Sequence, residues 1–380
     1  MNILGIICEY NPLHNGHKYQ LTTQKERFSA DGVICLMSGS FVQRGAPAMF
    51  DKWSRAKAAV LNGADLVLEL PVVYATQSAS RFATGAVSIF DALEVVNGIS
   101  FGSECGDMEL LKKAARILET EEFQVLLKEE LKKGVSFPAA KALAYEKAFP
   151  DTDTSLLSLP NNILGIEYLR ALNRLGSDIT PITHKREHSY SSASCIREKI
   201  RNGEDISGDV PKDVLLLFQS AYNEAVYDAL VTGTFRQKTA EELKTICDVS
   251  EGLEERFIKG AKETFGADAL SEYVKSKRYT KTRIDRIIVN TLLGITKEDT
   301  ELSPQYARVL AFNDTGTKIL REISNHSLLP VITKTADAYP TCDTFSRMLE
   351  LDLHATDLYS LLTNDKRGGL DFLTSPIYVK

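Results

Sequence analysis

Two histidines flank a glycine near the start of the chain, in the stretch Glu9-Tyr10-Asn11-Pro12-Leu13-His14-Asn15-Gly16-His17. A short apolar run, Ile3–Ile7, precedes it, and a segment that reads as a helix, His17–Phe28, follows. A helix N-terminus presents N–H groups with no partner inside the helix and a partial positive charge, so phosphate oxygens bind there. Gly16 lets the backbone approach a nucleotide with no Cβ in the way. Two imidazoles on one face of that first turn could donate hydrogen bonds to phosphate oxygens as charge develops in an α-phosphoryl transfer. Loss of one such preorganised donor typically costs about 2.7–4 kcal/mol of transition-state stabilisation. His14 and His17 are therefore the first catalytic candidates. The string is short, and it gains weight from its place at the first βα turn, where α/β folds bind ligands.

Further candidates lie beyond it. In Ser192-Ala193-Ser194-Cys195-Ile196-Arg197, a serine at a helix start can cap it and bind phosphate, and Arg197 can reach the β- and γ-phosphates. Arg44 sits in the loop Gln43-Arg44-Gly45-Ala46-Pro47, where it could bind the α-phosphate, a carboxylate substrate or RNA. Lys52 and Arg55, in the next helix, are weaker candidates. His184 and His188 are four apart and lack a third ligand, so no metal site is expected.

These residues need a scaffold. Val33–Met37, Leu66–Leu70 and Gly98–Phe101 read as strands after Ile3–Ile7, with helices at Asp51–Asn62 and Arg81–Val96 between them. Such alternation predicts an α/β fold with a Rossmann-like parallel sheet. Residues 107–150 read as a helical insertion, Ser158–Leu175 as a helix, Ile179–Thr183 as a strand and Ser191–Arg201 as the last helix of this part. A turn-rich stretch, Asn202 to Pro211, places a boundary there: a nucleotide-binding domain over 1–205 and a mainly helical region over 206–380. Lys212 to about Glu322 reads as several helices, with Phe312-Asn313-Asp314-Thr315-Gly316 a turn of unassigned role.

Composition sets the outer limits. The chain has 380 residues, is 43% hydrophobic and 25% charged, and carries a formal net charge of -6. That is ordinary globular usage, which excludes a disordered chain and a uniformly basic nucleic-acid coat. Six cysteines with no CxxC pair point to reduced thiols rather than a disulfide framework or a zinc site. No apolar run reaches the roughly 18 residues of a membrane span, and no basic segment precedes the first apolar run, so a cytoplasmic protein is expected.

The two motifs together resemble the HIGH-type nucleotidyltransferases. Four blocks narrow the resemblance: Glu9 to His17, Met37-Ser38-Gly39-Ser40-Phe41-Val42-Gln43-Arg44-Gly45, Phe101-Gly102-Ser103-Glu104-Cys105-Gly106 and Pro160-Asn161-Asn162-Ile163-Leu164-Gly165 are similar to the bacterial tRNA(Met) cytidine acetate ligase family over essentially the whole chain. The resemblance implies that ATP and acetate form acetyl-adenylate. The exocyclic amine of the wobble cytidine (position 34) of elongator tRNA(Met) then attacks, giving N4-acetylcytidine. It places ATP along Ile7, Cys8, Glu9, Tyr10, Asn11, Pro12, Leu13, His14, Asn15, Gly16, His17, Lys18, Tyr19 and Gln20, with further contacts at Gly102, Asn161, Arg186, Ser194 and Arg197. Asn161 alone also reads as a helix cap, and Arg186 alone as a surface charge. Mg2+ is expected with ATP; no membrane or protein partner is implied.

A partner signal also comes from charge alone. Lys275 to Arg286 holds six basic residues and one acid. Lys275, Lys277, Arg278, Lys281 and Arg283 could neutralise tRNA phosphates, and Tyr279 could stack on an unpaired base. Two other readings stay open: a small-molecule adenylyltransferase of the pantetheine-phosphate or nicotinate-mononucleotide type, usually a much shorter chain, and a non-catalytic RNA-binding module. An acetyl-CoA-dependent acetyltransferase is a third, without a recognisable acetyl-CoA motif.

Overall fold

Each apolar run expected in the first third forms a strand within one or two residues of its expected ends. A computed structural model describes residues 1–150, 154–186, 189–218, 220–250 and 252–380. Its strands, in chain order, are β1 (Ile3–Cys8), β2 (Gly32–Ser38), β3 (Phe41–Val42), β4 (Ala46–Pro47), β5 (Leu66–Leu70), β6 (Gly98–Ser103), β7 (Thr180–Lys185), β8 (Ala307–Phe312), β9 (Val331–Ile332) and β10 (Ile377–Tyr378). Among the described residues one sheet runs β10-β8-β5-β2-β1-β6-β7, with β9 beside β8, and β3 and β4 form a separate hairpin.

From β5 to β7 every pairing is parallel. Ile34 and Leu36 pack on one face while Val33, Cys35 and Met37 pack on the other, so both faces are buried and the strand reads as a continuous apolar run. β1 has β2 on one side and β6 on the other, so the order reverses at β1. The crevice beyond its carboxyl end is where open α/β sheets bind ligands. Three helices, Met108–Ile117, Glu121–Lys132 and Phe137–Ala148, form the insertion between β6 and β7, and Pro160–Leu175 makes the crossover back to the sheet.

The region after 205 differs from its expected form. It does hold helices, among them Glu224–Gln237, Leu253–Glu263 and Lys281–Leu293, but β8 then enters the first sheet antiparallel to β5, with Leu66 opposite Phe312. The boundary near 205 thus does not separate two cores, because one apolar cluster runs from Ile3 to Leu362. Ala307–Phe312 lay inside a stretch read as helical, and a six-residue buried run is indistinguishable from a piece of buried helix by periodicity. The turn at 312–316 now has a role. Asn313 caps the helix Asp314–His326 by accepting from the Gly316 N–H at 2.9 Å, and a Cβ on Gly316 would lie 2.1 Å from the Asp65 carbonyl oxygen.

A buried ion network ties the two halves together. Lys52, only 1% exposed, lies 2.8 Å from both Glu69 Oε1 and Asp371 Oδ1; Arg308 completes the ring with Glu69 Oε2 at 3.2 Å and a contact to Asp371. Burial alone would raise the Asp371 carboxyl, yet Lys52 and Arg308 hold it down to about 2. Lys52 is therefore a structural cation rather than a site residue. Among the described residues no helix is long and apolar enough to cross a membrane.

Candidate functional site

His14 is the N-cap of the helix Asn15–Arg27, and its Nδ1 accepts from the Gly16 N–H at 3.1 Å. Accepting at Nδ1 places the ring proton on Nε2. That atom is buried and has no partner among the described residues, while the residue as a whole is 3% exposed. His17 answers as the other half of a capping box, its Nδ1 3.4 Å from the His14 N–H, which leaves its proton on Nε2 as well. The rings stack with centroids 3.7 Å apart. Burial, then Arg186, pushes His14 down to about 4; burial, then His14 and Arg186, holds His17 well below its ordinary range. The pair is a set of neutral N–H donors at the positive end of a helix, where protonation is disfavoured further.

The expectation of free backbone amides is corrected here. Asn15 N–H donates to the Asp209 carbonyl, Gly16 N–H to the His14 ring, and His17 N–H to the His14 carbonyl. What remains for an anion is the helix dipole and the imidazoles themselves. Gly16 has a different task too: a Cβ there would lie 3.0 Å from His14 Cε1, so the glycine makes room for the capping ring. Gly102 makes room likewise, since its Cβ would meet Arg186 Cγ and His184 Nε2, both at 3.2 Å. This brings β6, His184 and Arg186 to the same corner as the two imidazoles. Burial, then Arg27 and Arg186, pushes His184 down to about 4, and its Nδ1 is buried without a partner among the described residues. His188 lies outside the described residues, as does part of the expected loop at 149–154.

A second cluster flanks the first. Glu9 follows β1, and its Oε1 accepts from the Gln43 N–H at 2.8 Å. Burial raises its carboxyl; the Gln43 amide and the charges of Arg197, Arg44 and Arg55 oppose that. Arg44 is exposed at the tip of the β3–β4 hairpin. Arg197, on the helix Ala193–Arg201, donates to the Asn11 carbonyl at 2.6 Å and to Ser194 Oγ at 3.0 Å, so Ser194 supports Arg197. Arg55 is 0% exposed and spends its guanidinium on the carbonyls of Glu9, Ser38, Gly39 and Phe50. It pins the ends of β1 and β2 and is not free to touch a ligand.

Asn161 serves a cap. The Glu104 carboxylate accepts from Asn161 N–H and Nδ2 and from Asn162 N–H, while Asn162 Oδ1 accepts from the Glu104 and Cys105 amides. A built-in carboxylate thus occupies the N-terminus of Pro160–Leu175. The sequence reading missed this partner, because 57 residues separate the two groups and no local spacing pairs them.

The rest of the 7–20 segment divides by burial. Tyr10 and Leu13 are core, with the Tyr10 hydroxyl 3.4 Å from Cys35 Sγ, and Ile7 and Cys8 pack against the core. Asn11 accepts from Met49 N–H, and the Asn11–Pro12 bond is cis. Asn15 is tied to Gly208 and Asp209. Lys18 is exposed, Gln20 half-buried, and Tyr19 has its ring 5.9 Å from that of Tyr190.

The basic segment is split. Lys275, Lys277 and Arg278 are exposed. Tyr279 is 7% exposed with the Arg283 guanidinium 4.9 Å from its ring centre, so it is not available to stack on a base. Arg283 donates to Asp248 O and Ser250 Oγ, and Lys281 pairs with Asp268 and Asp285. Gly45, beside Arg44, packs on the same helix: its Cβ would lie 2.4 Å from Arg286 N.

The corner so assembled can stabilise charge on a phosphate, with a carboxylate and two arginines beside it. Comparison with known proteins agrees. The HIGH Nucleotidyl Transferase family matches residues 1–370. The tRNA(Met) cytidine acetate ligases of Acetivibrio thermocellus and of a Thermoanaerobacter species are each 43% identical to the chain, over 98% of both partners. Two crystal structures of Thermotoga maritima TmcAL, one bound with alpha-thio ATP and one apo, superpose with TM-scores of 0.95 and 0.94 at 36% and 35% identity over the full length of both chains. The paired imidazoles at the end of β1, in a match that spans the sheet and the helices after it, place the chain in the HIGH nucleotidyltransferases, and within them it belongs to the tRNA(Met) cytidine acetate ligase family.

Proposed function

We propose that the protein ligates acetate to the wobble cytidine of elongator tRNA(Met), using ATP, through acetyl-adenylate. The acetate carboxylate attacks the α-phosphorus and pyrophosphate leaves. The cytidine N4 amine then takes the acetyl group and AMP leaves. The observation that carries this reading is the buried Nε2–H of His14, without a partner among the described residues, on a ring stacked on a second neutral imidazole at the switch point of the sheet. A neutral donor there stabilises charge growing on phosphate oxygens without first paying to bury a cation. Arg44 and Arg197 supply positive charge for the acetate or the α-phosphate, and the exposed Lys275, Lys277 and Arg278 engage tRNA phosphates.

Mg2+ would arrive on the ATP phosphates, which suits an ion that keeps several waters. Among the described residues no group of three or more His, Cys, Asp or Glu could hold a metal ion. A tRNA substrate supports a cytoplasmic location.

The test incubates the protein with ATP, acetate and a tRNA(Met) transcript and analyses the nucleosides by mass. N4-acetylcytidine that depends on ATP and free acetate supports the reading. Dependence on acetyl-CoA overturns it. So does pyrophosphate release that needs a phosphorylated small molecule, or modification unchanged in His14→Ala and His17→Ala proteins.

A further inference from the structure

Three carboxylates are placed by elements that converge on the crevice: Glu9, Glu104 and Asp209. Both oxygens of Glu104 are bonded to the Asn161 and Asn162 amides. Both oxygens of Asp209 are taken, one by Ser191 and one by Lys199. Glu9 differs. Oε1 holds the Gln43 amide, and Oε2 makes no hydrogen bond or ion pair among the described residues. Glu9 is only half-buried, so this oxygen remains reachable.

The groups facing Glu9 come from four elements. Arg44 stands on the β3–β4 hairpin, Arg55 on the helix Lys52–Leu61, Arg197 on Ala193–Arg201 and Tyr168 on Pro160–Leu175. Arg55 is consumed by backbone carbonyls. That leaves a carboxylate acceptor beside two arginines suited to an acyl-bearing carboxylate or phosphate. Arg197 and Asn11 link this cluster to the imidazole corner, since Arg197 donates to the Asn11 carbonyl three residues before His14.

We propose that Glu9 is a catalytic residue of the second step: Oε2 accepts a hydrogen bond from the N4 amino group of the target cytidine and takes its proton as the acetyl group arrives. This rests on the function proposed above. In that step the N4 lone pair forms a bond to the acetyl carbonyl carbon. The bond from that carbon to the AMP phosphate oxygen breaks and its electron pair leaves with AMP. One N4 proton passes to Glu9. The same contact selects the base. Cytosine offers an N4–H donor where uracil offers an O4 acceptor, and a carboxylate accepts from the first and repels the second. Burial raises the Glu9 carboxyl, which makes it a better base than an exposed carboxylate, and the Gln43 amide and the arginines oppose that rise.

The experiment compares two rates in one protein preparation. Adenylation is read as acetate-dependent exchange of labelled pyrophosphate into ATP. Transfer is read as N4-acetylcytidine formed on a tRNA(Met) transcript from synthetic acetyl-adenylate. Because both rates come from the same sample, loss of folded protein cancels in their ratio. For Glu9→Gln the ratio of transfer to adenylation is expected to fall about 100-fold, the usual scale of a general base. The acid limb of the wild-type transfer profile should disappear in that variant, and Glu9→Asp should restore both in part. An unchanged ratio, or an acid limb that survives in Glu9→Gln, overturns the proposal. If the wild-type protein makes no N4-acetylcytidine at all, the function fails first, and the two failures are told apart.

Discussion

The His14 ring lies stacked on the His17 ring at 3.7 Å between centroids, and both are held neutral by burial and by Arg186. Two imidazolium ions could not share that geometry. His14 therefore has two separable tasks, capping through Nδ1 and donating through Nε2. His14→Asn keeps a cap and lacks the ring donor. It should melt within about 2 °C of wild type while losing roughly 100- to 1000-fold in acetylation rate. His14→Ala should lose a comparable rate and about 1 kcal/mol of stability as well. Thermal melts beside initial rates separate the two.

Gly45 has φ +80° and no room for a Cβ against Arg286. Gly45→Ala must lift the Arg44 hairpin from Lys281–Leu293, at a cost of about 1–3 kcal/mol from backbone strain. Because Gln43 in that hairpin holds Glu9, both the arginine and the carboxylate should shift. Denaturant midpoints should fall, and acetylation of tRNA should fall further than the loss of folded protein explains.

The basic segment offers less to an RNA than its composition suggests, because Tyr279 is buried, Arg283 and Lys281 are bound within the protein, and Lys275 pairs with Glu272 at the surface. Each phosphate contact contributes about 0.7–0.9 to the slope of log affinity against log salt. Changing Lys275, Lys277 and Arg278 together to Ala should flatten that slope by roughly 2–3 units and leave the melting temperature nearly unchanged. Filter binding over a salt series reads the slope. Tyr279→Ala should instead lower stability, by about 3–5 kcal/mol if it behaves as other large core truncations do.

Asp352 accepts from Val72 N–H and from the Tyr306 hydroxyl, and burial, then the charge of Glu69, raises its carboxyl to about 7. A raised carboxyl means that the folded state holds the proton more tightly than the unfolded state, whose carboxyl titrates near 4. Its contribution is thus full below pH 4 and is lost as pH rises to about 7. The lowered histidines act in the opposite direction between about 4 and 6.5, so the total is mixed. The difference between wild type and Asp352→Asn isolates the term. Relative to the variant, wild type should lose melting temperature steadily from pH 4.5 to 7.5 and run parallel to it above that.

Legibility followed the range of the interaction. β1, β2 and β5 were readable because both their faces are buried, and the imidazole motif because a strand end and a helix cap are local events. The neutral state of the rings was not readable, since it comes from burial and from Arg186, far away in sequence. Gly16 and Gly102 read as places where the backbone approaches a nucleotide, and the crowding they relieve in the fold comes from His14, His184 and Arg186. Nothing local marks Glu104 as the cap of a helix 57 residues on, or Lys52 as the centre of a network completed by Arg308 and Asp371. Tyr279 was misread because a basic stretch with one aromatic has the composition of an RNA contact whether its ring points in or out.

That network sets an order of events during synthesis. Lys52 and Glu69 leave the ribosome early, and Arg308 and Asp371 follow roughly 15–60 s later at ordinary elongation speeds. Until then the β5 edge lacks β8, and the first two charges can pair only with each other. An exposed strand edge is a template for wrong pairing. Through that interval the open β5 edge is the part of the nascent chain that needs shielding, and a product truncated before 307 would emerge with that edge open and with Lys52 and Glu69 paired only to each other.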